Sequence, residues 1–162
     1  MRAGAALTLL LAACVVPANA QGSGAGEGVR LGIYFGGVST VGLTVELFDD
    51  THAIDLSLGT WSFRDLSVSA VYKEYVGAAG VRPFVGGGLW AVVASPPDER
   101  TGLALVLRAP VGVDWTFADD HALGAALNVN LGLAVRRTDP EDDLPMNRRF
   151  VPLPEAYYRF RP

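Results

Sequence analysis

Cysteine and lysine are almost absent from this chain: Cys14 is its one thiol and Lys73 its one lysine. A single cysteine closes no intrachain disulfide, and it supplies neither a paired-cysteine zinc site nor a dithiol redox motif. Two histidines, His52 and His121, are a thin stock for metal binding or acid–base chemistry. Basic charge is also scarce, with 13 Lys and Arg against 17 Asp and Glu, so a nucleic-acid footprint is missing. No apolar run reaches the roughly 20 residues of a membrane-crossing helix. The longest, residues 5–16, follows Arg2 and precedes the small-x-small triplet Ala18-Asn19-Ala20. That order reads as a cleaved signal peptide over 1–20. A competing reading takes Leu11-Ala12-Ala13-Cys14 as a lipobox, with Cys14 the lipidated first residue. Under the first reading the mature chain is free of cysteine, which suits an exported protein. It then holds 12 basic and 17 acidic residues, a charge of −5.

What is present is alternation. In residues 103–117 every odd position is apolar: Leu103, Leu105, Leu107, Ala109, Val111, Val113, Trp115 and Phe117. After the turn Ala118-Asp119-Asp120-His121 the pattern resumes with Leu123, Ala125, Leu127, Val129, Leu131, Leu133 and Val135. Strict period-2 patterning belongs to strands and not to helices. Each strand exceeds the usual 5–6 residues and matches the roughly 9–11 of a tilted bilayer-crossing strand. The same signal, broken by Gly, Asp and Pro turns, recurs at about 29–35, 41–47, 54–61, 66–73, 81–93 and 150–160. The count is eight, in one domain spanning 29–162 after a Gly/Ser-rich linker at 21–28. An internal echo, Phe48-Asp49-Asp50-Thr51-His52 and Phe117-Ala118-Asp119-Asp120-His121, marks the connections between strands 2–3 and 6–7.

Periodicity does not say which face looks inward. A soluble lipocalin-like barrel buries its apolar face, whereas a membrane barrel turns it to lipid. The second face decides. In strand 7 it reads Ala122, Gly124, Ala126, Asn128, Asn130, Gly132, Ala134 and Arg136, a poor solubilising surface but a plausible narrow lumen. In that phase Arg30, Lys73, Arg82, Arg108, Arg136 and Arg159 point inward beside Glu46, Asp55, Asp114 and Glu155. Buried charges must pair, so a plugged, salt-bridged interior is expected. Tight turns fall at one end and the longest loop, 137–149, at the other, as outer-membrane barrels arrange them. Tyr72, Trp115, Phe117, Tyr158 and Phe160 gather near one end, Phe35 and Phe150 near the other, like two interfacial girdles.

Arg82-Pro83-Phe84-Val85-Gly86-Gly87-Gly88-Leu89, followed by Gly112-Val113-Asp114-Trp115-Thr116-Phe117 and Ala122-Leu123-Gly124, resembles the small bacterial outer-membrane barrel domains of the OmpA/OmpX type. Ala156-Tyr157-Tyr158-Arg159-Phe160 is similar to the terminal strand signal read by the barrel assembly machinery, here followed by Arg161 and Pro162. The resemblance covers most of 29–160. It implies an all-β, eight-stranded antiparallel up-and-down transmembrane barrel in the outer membrane of a Gram-negative-type bacterium. Two features depart from it. Pro152 and Pro154 lack donors in a strand that should pair on both sides, so that strand is expected to rise clear of the bilayer or bulge there. Glu74 falls on the lipid-facing parity, where only an interfacial depth suits it.

Chemistry is hard to find. Some small outer-membrane barrels modify lipids, yet neither histidine has a serine at nucleophile–base spacing. Gly86-Gly87-Gly88 lacks the lysine and following helix of a phosphate loop and reads as a strand kink. The loop acids Asp139, Glu141, Asp142 and Asp143 lie among Arg136, Arg137, Arg148 and Arg149. Of these, Arg137, Arg148 and Arg149 are candidates for lipopolysaccharide phosphate contact. The expectation is a non-enzymatic, monomeric barrel with a structural or surface-interaction role, no cofactor, and outer-membrane lipids and the assembly machinery as partners. The alternatives are a soluble periplasmic barrel binding an apolar ligand, or a lipid-modifying outer-membrane enzyme.

Overall fold

A computed structural model describes residues 27–77, 80–95, 100–118, 120–139 and 150–162. The leader reading, including Cys14, and the arginines Arg148 and Arg149 lie outside them. Eight strands follow one another: β1 (Gly28–Gly36), β2 (Ser39–Phe48), β3 (His52–Thr60), β4 (Asp65–Tyr75), β5 (Val81–Ala94), β6 (Gly102–Ala118), β7 (His121–Arg136) and β8 (Val151–Phe160). Each pairs antiparallel with the next, and β8 returns to β1 from Leu31↔Phe160 to Gly36↔Glu155, closing a barrel. Closure leaves no free sheet edge, the condition for a sheet to sit in lipid.

Alternation assigns the faces. Leu43, Ile54, Leu56, Tyr72, Leu89, Leu107, Val111, Trp115, Leu123 and Leu127 are exposed on the outer wall. Glu46, Asp55, Ser67, Lys73, Arg108, Asp114, Asn128 and Arg159 are buried within. This is the reverse of a water-soluble domain, and the reverse of what a lipocalin-like interior requires. Glu74 is exposed on the outer face opposite His52, beside the β2–β3 turn.

Two irregularities change the expected facing. In the β6–β7 ladder Leu105 opposes Ala134 while Val106 opposes Gly132, so Leu133 is an extra residue on β7. A bulge inverts the parity beyond it. Arg136 therefore opposes outward-facing Leu103 and is exposed, not in the lumen where uninterrupted alternation puts it. Trp61, the last residue of the 54–61 stretch read as strand 3, lies past the end of β3 and is exposed.

The prolines of β8 are accommodated without a register shift against β7, where Pro154 opposes Leu127 and Pro152 opposes Val129. The Pro154 carbonyl accepts the Gly37 N–H at 2.7 Å, so its own missing donor faces the β1 side. Pro152, two residues away, points the same way, beyond the last β1–β8 pair at Gly36↔Glu155. The prolines thus occupy the stretch of β8 that has no ladder partner on β1. Pro110 of β6 meets a similar gap: the β5–β6 ladder skips from Val85↔Val111 to Gly88↔Arg108, passing over Gly86 and Gly87.

Candidate functional site in the barrel interior

Ionised side chains fill the lumen in two groups. The larger lies toward the end where β1 begins, β8 ends and the tight β2–β3 turn sits. Register alone would make it unfavourable, because Glu46 and Asp55 are directly opposite across β2 and β3. Cations from distant strands resolve this. Glu46, fully buried, accepts from Arg30 Nη1 at 3.2 Å, Arg159 Nη1 at 3.1 Å and Tyr75 Oη at 2.6 Å, with Lys73 Nζ 3.6 Å away. Asp55 accepts from Lys73 Nζ at 2.5 Å, Thr44 Oγ1 at 2.6 Å and Arg159 Nη2. Asp114 accepts from Tyr157 Oη at 3.3 Å and lies 3.8 Å from Arg30 and 3.6 Å from Arg159. Arg159 joins all three acids, and its guanidinium stacks 3.8 Å from the Tyr157 ring centre. Six strands supply these six charges.

Arg82 is a partial member. It stands opposite Asp114 in the β5–β6 ladder, but its guanidinium lies over the Tyr75 ring at 4.4 Å, and its buried Nη2 has no hydrogen-bond partner among the described residues. Asp114 Oδ1 and Arg159 Nε are likewise without one.

The second group is centred on Arg108. Its Nη2 donates to Glu155 at 2.5 Å, its Nε to Asn128 Oδ1 at 2.8 Å and its Nη1 to Ser69 Oγ at 2.9 Å. Asn128 Nδ2 donates to the same Glu155 oxygen at 3.3 Å. Above them the β1–β2 turn folds inward. Val38 and Ser39 are fully buried, the Val38 carbonyl accepts from Ser67 Oγ at 2.8 Å, and Ser39 Oγ donates to Tyr34 Oη at 2.6 Å. Trp90 Nε1 completes the chain at 2.6 Å from Ser67 Oγ. Gly37, at φ +66°, lies against the Glu155 carboxylate, where a Cβ has no space.

Of the ten interior charges expected, nine lie in the lumen, eight of these in ion pairs; Arg82 makes none among the described residues, and Arg136 is outside. Besides the strand 7 lining that includes Asn128, the sequence nominates only ionised side chains. It does not single out Tyr34, Thr44, Ser69, Tyr75, Trp90 or Tyr157, whose parity was the available signal. The inward turn at Val38 had none.

The histidines stand apart from the interior serines. His52 Nδ1 lies 3.3 Å from Asp49 and its ring stacks on Tyr72. His121 Nδ1 is 2.6 Å from Tyr158 Oη, between the Phe117 and Tyr158 rings. β2–β3 and β6–β7 are not neighbours in the strand order, so the two similar turns do not share a site. No group of three or more potential metal ligands occurs among the described residues. Arg137 has an interaction partner and is half-buried.

No protein-family model matches the chain, and no curated protein sequence matches it. A solved structure does: the N-terminal β-barrel domain of OprF from Pseudomonas aeruginosa, with TM-score 0.63 and 15% sequence identity, over 83% of this chain and 98% of that one. At that identity the likeness is one of architecture, and it places this chain among barrels with the OmpA-type, eight-stranded antiparallel fold.

Proposed function

We propose that this chain is a non-enzymatic outer-membrane β-barrel with a closed, ion-paired lumen, serving a structural or surface-interaction role. It would be exported by the 1–20 leader and assembled as a monomer through the Phe160 terminal strand signal. One observation carries the reading: apolar side chains cover the outer wall while charges fill the inside. Exposing that belt to water forfeits about 25 cal/mol for every Å² of apolar surface left unburied, and lipid removes the deficit. The OprF barrel domain supports the same placement through shared architecture. A lipid-modifying enzyme would need a nucleophile beside a base, and among the described residues neither histidine ring is hydrogen-bonded to a serine: His52 meets Thr51 and Asp49, and His121 meets Tyr158.

Membrane-fraction protein is run on a gel unboiled and boiled, after salt and carbonate washing. A pellet that resists extraction, with a mobility shift on boiling, is expected. A freely soluble protein without a shift refutes the membrane assignment.

A further inference from the structure

The β3–β4 connection is built to hold an aromatic ring away from the protein. The Asp65 carboxylate accepts from Trp61 N at 2.8 Å, Thr60 Oγ1 at 3.3 Å and Ser62 Oγ at 3.1 Å. Thr60 Oγ1 in turn accepts from Phe63 N at 2.8 Å, and Thr40 Oγ1 donates to the Trp61 carbonyl at 2.9 Å. This frame sets Phe63 at φ 62°, the left-handed region that a Cβ disfavours, and leaves the residue 86% exposed. Strain spent on presenting a bare phenyl ring to water has no folding benefit; it suits a ring with an apolar partner.

Below Phe63 the belt continues. Leu66 and Val93 oppose each other across β4 and β5 and face outward. With Phe63, Arg64, Asp65 and Ser95 they line an open groove of about 500 Å³. The Asp65 carboxylate is engaged by its loop, and exposed Arg64 makes no ion pair among the described residues. The groove therefore joins Leu66 and Val93, continuous with the outer wall, to a guanidinium that has no ion pair among the described residues.

We propose that this groove binds a phosphorylated membrane lipid of the leaflet at that end. Its acyl chain would lie along Leu66 and Val93 under Phe63, and its phosphate would meet Arg64, a charge-assisted contact well suited to a guanidinium. The proposal rests on the membrane reading above and adds a ligand class to it.

The test reconstitutes the mature chain in vesicles of phosphatidylcholine with and without phosphatidylglycerol, extracts it in mild detergent, and counts retained lipid by native mass spectrometry. Several-fold preferential retention of phosphatidylglycerol is expected. Arg64→Gln abolishes the preference, and Phe63→Gly, which fits the left-handed backbone, reduces retention of both lipids. Arg161→Gln, at the opposite end, leaves the preference unchanged. If a chain that inserts keeps its preference in Arg64→Gln, or releases the lipid to inorganic phosphate, the lipid site is overturned while the membrane barrel stands. Failure to insert overturns both.

Discussion

Gly124 of β7 sits under the Tyr157 ring of β8, so closely that a Cβ there would overlap the ring carbons. Tyr157 in turn supports the Arg159 guanidinium and donates to Asp114. Gly124→Ala should therefore displace the ring and lower stability by about 1–3 kcal/mol, the usual cost of overpacking. The urea midpoint of refolded protein in micelles measures it. At the β2–β3 turn a carboxylate acts alone. Asp49 Oδ1 accepts the N–H of Thr51 at 2.9 Å and of His52 at 2.7 Å, and these bonds hold its carboxyl below the usual carboxylate range. A depressed group stabilises above its unfolded value, about 3.9, and loses that contribution as pH falls through the lower folded value. Amide protection of Thr51 and His52 should hold down to about pH 4 and fade below it. In Asp49→Ala it should be weak at every pH, and NMR exchange reads both.

At the scale of the strand, the outer face is tested by a single charge. Leu127 is exposed near the middle of β7, among Val111 and the β8 prolines. Leu127→Arg should cost about 2–4 kcal/mol of insertion free energy if it lies near the bilayer midplane. Vesicle-insertion yield is the measurement, and an unchanged yield would count against lipid at this face. The strands also show where alternation can be trusted. From Ala122 to Leu131 every buried residue of β7 (Ala122, Ala126, Asn128 and Asn130) falls on the inward parity and every exposed one on the outward parity, because one unbroken ladder holds the phase. Past Leu133 it fails, since an extra residue in a ladder leaves no mark in a period-2 pattern. Arg136 is misplaced for that reason alone.

Across the whole molecule, Arg159 is the side chain on which the lumen depends. It reaches Glu46, Asp55 and Asp114 from β8, and so ties the last strand to β2, β3 and β6. Arg159→Met keeps much of the bulk and removes the charge, leaving Arg30 and Lys73 to serve three buried acids. Loss of about 3–5 kcal/mol is expected, the cost of stranding buried charge. Equilibrium unfolding in micelles measures it, and a loss below the overpacking cost of Gly124→Ala would argue against a dry lumen.

The amino-acid order by itself determined eight strands, their antiparallel hairpins and which face is apolar, because side-chain direction in a strand is a local, period-2 property. It also nominated most of the interior charges by parity. Only the closed structure decided how those charges meet. Contacts such as Arg159 with Glu46 span 113 residues and exist because β8 closes on β1. Closure likewise set the prolines of β8 beyond the end of β1 and folded Val38 into the lumen. Each of these follows from register and strand length around the ring, which no single stretch of sequence contains.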